Sequence, residues 1–166
     1  AGRWMMREAM EKCSEIRKRL PHFKVNLNIS QVQASKSDVI EDIAAEMEKA
    51  GLPSDAIVIE LTESDLLEGN INEKHFLAEL KRMGMKLALD DFGTGYSNFH
   101  YISELKPEII KIDRCFTANA VADEKEYYLL NQFCTMIHNL GLKLCIEGVE
   151  NEEEWVKIKH LKPDFG

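Results

Sequence analysis

Asn28, Glu60, Asp90, Asp91, Lys111 and Glu147 each fall at or near the C-terminal end of a short apolar stretch, FKVNLNI, AIVIEL, KLALDD, EIIKI and LKLCIE in turn. One such residue is most simply a strand-end side chain capping a loop. Five stretches repeating it, at intervals of about 20 to 36 residues, match one strand–helix unit each. That spacing would carry all six side chains to one end of a parallel sheet, the end where barrels of strands and helices keep their active sites. Four carboxylates and one amide oxygen, with no histidine or cysteine pattern beside them, form a hard-oxygen donor set suited to magnesium, manganese or calcium rather than zinc or copper. Adjacent Asp90 and Asp91 repel each other unless cations lie between them, and a carboxylate bridging two ions about 3.5–4 Å apart is the arrangement of phosphoester-cleaving two-metal sites. Lys111 has two readings: it orients or deprotonates an attacking water or neutralises charge on phosphate, or it is an ion-pair partner of Asp90 or Asp113.

Other residues carry weaker signals. The loop DDFGTGYSNF is too short for a Walker loop and lacks GxGxxG spacing, so Gly93-Thr94-Gly95 taken alone is a tight turn. The histidines His22, His75, His100, His138 and His160 form no HxH, HExxH or His-Asp pair and read as surface or core-edge residues. Trp4, Trp155 and the methionines at helical spacing read as core.

The elements that must position these residues follow from periodicity. Trp4, Met5, Ala9, Cys13, Ile16 and Leu20 predict a one-face-buried helix over 3–20, stopped by Pro21. Strands are predicted at 23–29, 56–61, 86–90, 108–112 and 142–147. Helices are predicted over 39–47 (closed by Gly51 and Pro53), 71–83, about 123–140 and 151–160, with a short helix after the glycine loop. Asp123 with Glu126, and Asn151 with Glu154, have the spacing of reciprocal helix caps. Apolar, β-branched strands alternating with helices mean a parallel sheet covered by helices, either doubly wound or closed as a barrel. Periodicity alone does not separate the two.

At 166 residues, 45% of them hydrophobic and 30% charged, the chain fits one domain with a real core. Its 29 acidic and 21 basic side chains leave a net charge of −8, which argues against a protein that holds DNA by neutralising phosphates and requires that an anionic ligand be met by cations. No apolar run approaches the roughly 20 residues of a membrane helix, and AGRWMMREAMEKC is amphipathic rather than a signal peptide. A cytoplasmic location is expected. Cys13, Cys115, Cys134 and Cys145 form no CxxC pair, so reduced thiols are expected, without disulfides or zinc.

VNLNIS, IELTES, LALDDFGTGYSNF, IIKID and IEGVE, in this order and spacing, resemble the EAL-domain family of cyclic di-GMP phosphodiesterases. The resemblance runs over essentially residues 1–166. It implies an α/β fold, a modified triosephosphate-isomerase (TIM) barrel, incomplete here at about five strand–helix units. It also implies hydrolysis, dependent on Mg2+ or Mn2+ in a two-metal site, of one phosphodiester bond of cyclic di-GMP to linear pGpG. By matching motifs, Asn28, Glu60, Asp90, Asp91 and Glu147 would be metal ligands, Asp90 bridging, and Lys111 would act on the attacking water. Glu63 of ELTE resembles the residue that steadies the loop carrying Phe92, Gly93, Thr94 and Gly95, which the family uses to link site and dimer interface. Asp113 and Glu150 would shape the metal and nucleotide surroundings.

The departures from the family pattern set further expectations. The Glu-Ala-Leu tripeptide that names the family belongs on a strand upstream, and Glu8-Ala9-Met10 is no substitute because it lies in a helical stretch. Downstream, the chain stops at PDFG, before the family's Gln-Gly-Tyr-like segment. A fragment lacking both is expected to be inactive alone, within a homodimeric parent. Members commonly carry sensory or diguanylate cyclase domains, and the parent could be anchored to a membrane through other segments. Asn98 replaces the usual second serine. The competing readings are a non-catalytic cyclic di-GMP receptor or regulatory module and, more remotely, an unrelated barrel enzyme such as a sugar-phosphate lyase.

Overall fold

The computed structural model describes residues 2–36, 38–62, 71–94, 102–103 and 105–165. Strands and helices alternate along them: α1 (Gly2–Arg17), β1 (Val25–Asn28), α2 (Gln31–Ala34), α3 (Val39–Ala50), β2 (Ile57–Thr62), α4 (Ile71–Arg82), β3 (Lys86–Phe92), β4 (Ile109–Ile112), α5 (Arg114–Ala122), α6 (Glu124–Asn139), β5 (Lys143–Ile146) and α7 (Glu152–Ile158). The described residues fall into two compact units, one within Ala1–Leu61 and Asp65–Leu87, the other Thr62 with those within Ala88–Gly166. No helix of the described residues is long and apolar enough to cross a membrane.

In the first unit β1 pairs with β2 in parallel, from Val25 opposite Ile57 to Asn28 opposite Glu60. The two-residue alternation of a strand sends Leu27 and Ile29 into the core and leaves Asn26 and Asn28 together on the other face. α3 ends on Gly51 at φ +64°, where Gly51 N–H donates to the Glu48 carbonyl and Leu52 N–H to that of Met47, the left-handed closure the glycine was expected to supply. α1 packs on α3 and β1, but of the stripe read from the sequence only Cys13 is buried. It buries Met6, Met10 and Cys13, whereas Trp4 and Met5 are 59% and 63% exposed. Three- and four-residue spacing fitted two neighbouring faces of this helix; the face with two methionines one turn apart is the one that packs, and Trp4 and Met5 lie around the corner from it. Trp155, also expected in the core, is 39% exposed.

In the second unit β3, β4 and β5 are parallel, with Ile109–Ile112 lying opposite Lys143–Ile146 residue by residue. Ala88, Leu89, Ile110, Leu144 and Ile146 are almost wholly buried, as are Leu130, Cys134 and Ile137 of α6, which packs on β5. Beyond β5, Phe165 bridges to Cys145 in parallel, and its N–H and carbonyl bond to Leu144 and Ile146. The chain is therefore α/β, and its five strands among the described residues are short of the eight that close a barrel.

Candidate metal and phosphodiester site

The acidic centre is built by a defect in strand pairing. Leu89 stands opposite Ile110 and Phe92 opposite Ile112, so Asp90 and Asp91 together face the single residue Lys111. This is a β-bulge. In a regular strand two consecutive side chains point to opposite faces; here Asp91 takes φ +52°, a left-handed conformation that non-glycine residues adopt at a cost. Its N–H donates to Asp90 Oδ1 at 3.0 Å. Both aspartates thereby join Glu147, from the residue after β5, in a cluster whose ligand oxygens all lie within 4.8 Å of one another.

Lys111 sits among these acids. Its Nζ is 2.9 Å from Asp90 Oδ1 and 2.7 Å from Glu147 Oε1, and its side chain is only 12% exposed. Of the two partners its ion-pair reading allowed, it has Asp90, together with Glu147. One ammonium among three carboxylates leaves an excess of negative charge. Burial, and then the charges of Asp90, Asp113 and Glu147, push the Asp91 carboxyl above the usual carboxylate value, with Lys111 pulling the other way. Half-buried oxygen donors gathered in this way, with more negative charge than the lysine balances, fit a divalent cation of the magnesium or manganese type.

Glu147 is held from behind. Thr117 of α5, fully buried, donates its hydroxyl to the Glu147 carbonyl at 2.6 Å. Gly148 follows at φ +78°, where an added Cβ would lie 2.4 Å from Arg114 Cβ. Phe92 is buried, and Gly93, at φ +100°, abuts the Phe116 ring, 2.6 Å from where its Cβ would be. Thr94 closes the turn, its N–H and hydroxyl both donating to the Asp91 carbonyl. Asp113 caps α5 by accepting from Cys115 N–H, and hydrogen bonding to the Cys115 side chain, then to its N–H, holds the Asp113 carboxyl below the usual value. Glu150 is exposed, its N–H donating to Glu154 Oε2 ahead of α7. Glu63 and Gly95 lie outside the described residues.

In the first unit the register places Asn28 beside Glu60. Glu60 is 4% exposed, and its Oε1 accepts from Asn26 Nδ2 at 2.7 Å. Asn28 lines a cavity of about 310 Å³ with Asn26, Gln33, Met5, Met6 and Ala9. The expected residues thus form two groups, Asn28 with Glu60, and Asp90, Asp91, Lys111 and Glu147. Sequence reasoning missed Asn26, Thr117 and the bulge. Only Asn26 left a signal, the NLN repeat that puts two amides on one strand face.

Comparison with known proteins gives this geometry a family. The EAL domain family model matches residues 1–166. The chain is 30% identical over 134 residues to the cyclic di-GMP phosphodiesterase RocR of Pseudomonas aeruginosa, covering 81% of this chain and 34% of that protein. It is 29% identical over 129 residues to the cyclic di-GMP phosphodiesterase PdeB of Shewanella oneidensis, covering 78% and 15%. The EAL enzyme Bd1971, in a form bound to cAMP and cyclic di-GMP, superposes with a TM-score of 0.90 at 26% identity over 98% of this chain and 45% of that one. The chain thus spans about a third or less of the curated relatives described here. The likeness to Bd1971 selects the barrel-type α/β architecture over the doubly wound one. The chain belongs to the EAL domain family.

Proposed function

We propose that this chain carries the catalytic wall of a cyclic di-GMP phosphodiesterase that hydrolyses one phosphodiester bond to linear pGpG with Mg2+ or Mn2+. The observation that carries the reading is the Lys111 ammonium held between Asp90 and Glu147 in a half-buried acidic cluster, in a family whose relatives RocR and PdeB are named as phosphodiesterases of that nucleotide. Asp90, Asp91 and Glu147 would be metal ligands in the second unit, and Asn28 and Glu60 metal ligands in the first. Bound divalent ions would supply positive charge against the phosphoryl oxygens.

The chain's own residues do the rest. In the reaction a water oxygen bonds to phosphorus and its O–H bond breaks, the phosphorus–ester oxygen bond breaks, and the departing sugar oxygen gains a proton that balances the one the water gives up. Lys111, fixed by two carboxylates, would orient the attacking water and offset charge developing on the phosphoryl group. The two-residue bulge keeps both aspartates on one side, so this face needs little rearrangement when substrate arrives. Glu63, Asp113, Glu150, Phe92, Gly93, Thr94 and Gly95 are assigned supporting roles. A homodimer and a cytoplasmic site of action go with the reading as further proposals.

The test is nucleotide turnover, followed by chromatography, for the natural protein that carries this chain, with Mg2+ or Mn2+ added. Conversion of cyclic di-GMP to pGpG that stops with chelator is the expected result. Tight binding without conversion would assign the chain to the receptor reading instead.

A further inference from the structure

Asn26, which the family motif does not single out, makes a side-chain contact with a residue the proposed function assigns to the metal. It shares the Asn28 face of β1, and its Nδ2 reaches diagonally across the parallel pair to Glu60 Oε1 at 2.7 Å. The direction of the bond is fixed by chemistry, because an ionised carboxylate accepts only, so the amide must turn its NH2 toward it. Glu60 is 4% exposed on a strand whose neighbours Ile57, Val58, Ile59 and Leu61 are buried. A carboxylate there needs donors, and its orientation is set by those it finds.

We propose that Asn26 is a positioning residue for Glu60, with the two asparagines of β1 dividing the work: Asn26 donates its NH2 to fix the Glu60 carboxylate, and Asn28 keeps its amide oxygen for the cation. This rests on the reading of Glu60 as a metal ligand. Residues that orient a ligand in this way change metal affinity when removed, even though they never touch the ion. A purely structural role would lower stability and leave the affinity of the folded protein unchanged.

The test uses the natural protein that carries this chain and Mn2+ alone. Calorimetric titration of the wild type, Asn26→Val, Glu60→Gln and the double variant gives the four corners of a cycle, with thermal melts confirming that each is folded. Valine keeps the strand preference while removing the donor. The expected result is a Kd for Mn2+ raised about 10- to 100-fold by Asn26→Val, with no further rise when it is added to Glu60→Gln. An unchanged Kd in Asn26→Val beside a raised one in Glu60→Gln overturns the positioning role and leaves the metal reading standing. An unchanged Kd in Glu60→Gln, or no Mn2+ uptake by the wild type, removes Glu60 as a ligand and the proposal with it. Should Asn26→Val not fold, Asn26→Ser takes its place in the cycle. A metal-free check is the Asn26 side-chain amide in a 15N-resolved NMR spectrum: shifted and protected from exchange in the wild type, and reverting in Glu60→Ala. An amide pair that coincides with solvent-exposed ones would overturn the contact itself.

Discussion

The Thr117 hydroxyl donates to the backbone carbonyl of Glu147 at 2.6 Å, tying the buried face of α5 to the residue that leaves β5 for the acidic cluster. Thr117→Val keeps the shape and removes the donor. It leaves a carbonyl without its partner, a change that costs about 1–2 kcal/mol. We expect a melting temperature lower by several degrees and a Mn2+ affinity reduced less than by Glu147→Gln. A variant melting with the wild type would show that the bond contributes nothing.

Gly148→Ala is the sharper perturbation at the same turn. The new Cβ would meet Arg114 Cβ at 2.4 Å and its Cα at 2.9 Å, and φ +78° disfavours any side chain. Backbone strain of this kind costs about 1–3 kcal/mol before the clash is added. Gly51→Ala is the control: its φ is also positive, but an added Cβ meets nothing within 4 Å. Thermal melts should rank Gly148→Ala well below Gly51→Ala, and equal losses would mean that the contact with Arg114 is relieved without cost.

Lys111→Ala separates chemistry from binding. A group acting on the water stabilises the transition state more than the bound substrate, so turnover of cyclic di-GMP by the natural protein should fall at least about 100-fold while its Kd for the nucleotide moves little. Asp90→Asn should lose both turnover and metal, because it removes charge from the residue that shares the bulge with Asp91 and touches Lys111. Undiminished turnover by Lys111→Ala would refute the role assigned to the lysine.

The legible parts of the fold were those written in local chemistry. Asn151 caps α7 as its spacing with Glu154 predicts, with Glu154 N–H donating to Asn151 Oδ1 at 2.9 Å, but the Glu154 carboxylate accepts from the Asn151 side-chain amide at 2.8 Å and from Glu150 N–H at 2.7 Å instead of completing the box on Asn151 N–H. Asp123 and Glu126 have the same spacing, and there too only half the box forms. Asp123 accepts from Lys125 and Glu126 N–H, while its own N–H is taken by the Asn119 carbonyl at the end of α5. That helix was not predicted, because Thr117 and Ala120 are the residues it buries and neither makes an apolar stripe. The bulge was hidden for a related reason. Period-two patterning assumes the pairing is regular, and only the partner strand reveals that Asp90 and Asp91 share one position.

Asp113 gives α5 a start that pH can remove. Its side chain accepts from Cys115 N–H at 2.8 Å, and hydrogen bonding to the Cys115 side chain, then to this N–H, holds its carboxyl below the ordinary value. A depressed folded-state pKa means the contribution is fully present above the unfolded value, near 3.8, and is lost as pH falls through the folded one. Asp113→Ala should cost about 1 kcal/mol at neutral pH. The difference from wild type in urea midpoint should shrink as the medium is made strongly acidic, and a difference independent of pH would show that the cap does not act through its charge.

Cys134 gives the opposite sign at the alkaline end. The thiol is 1% exposed against β5, and burial pushes its pKa up from 9.0 to about 12. The folded state therefore holds this proton more tightly than the unfolded chain does. With a raised folded pKa, the contribution is fully present below pH 9 and is lost as pH rises toward about 12, because only the unfolded chain releases the proton readily in that window. Cys134→Ala leaves a small cavity and a loss of stability at every pH, but it removes this titration. Denaturant melts at intervals across the alkaline range should show wild-type stability falling more steeply than that of Cys134→Ala, the two slopes differing by up to one proton per molecule. Exposed Cys115 should meanwhile react with an alkylating reagent well before Cys134. Parallel slopes, or equal labelling of the two thiols in the folded protein, would show that Cys134 is not sealed into the core as the structure has it.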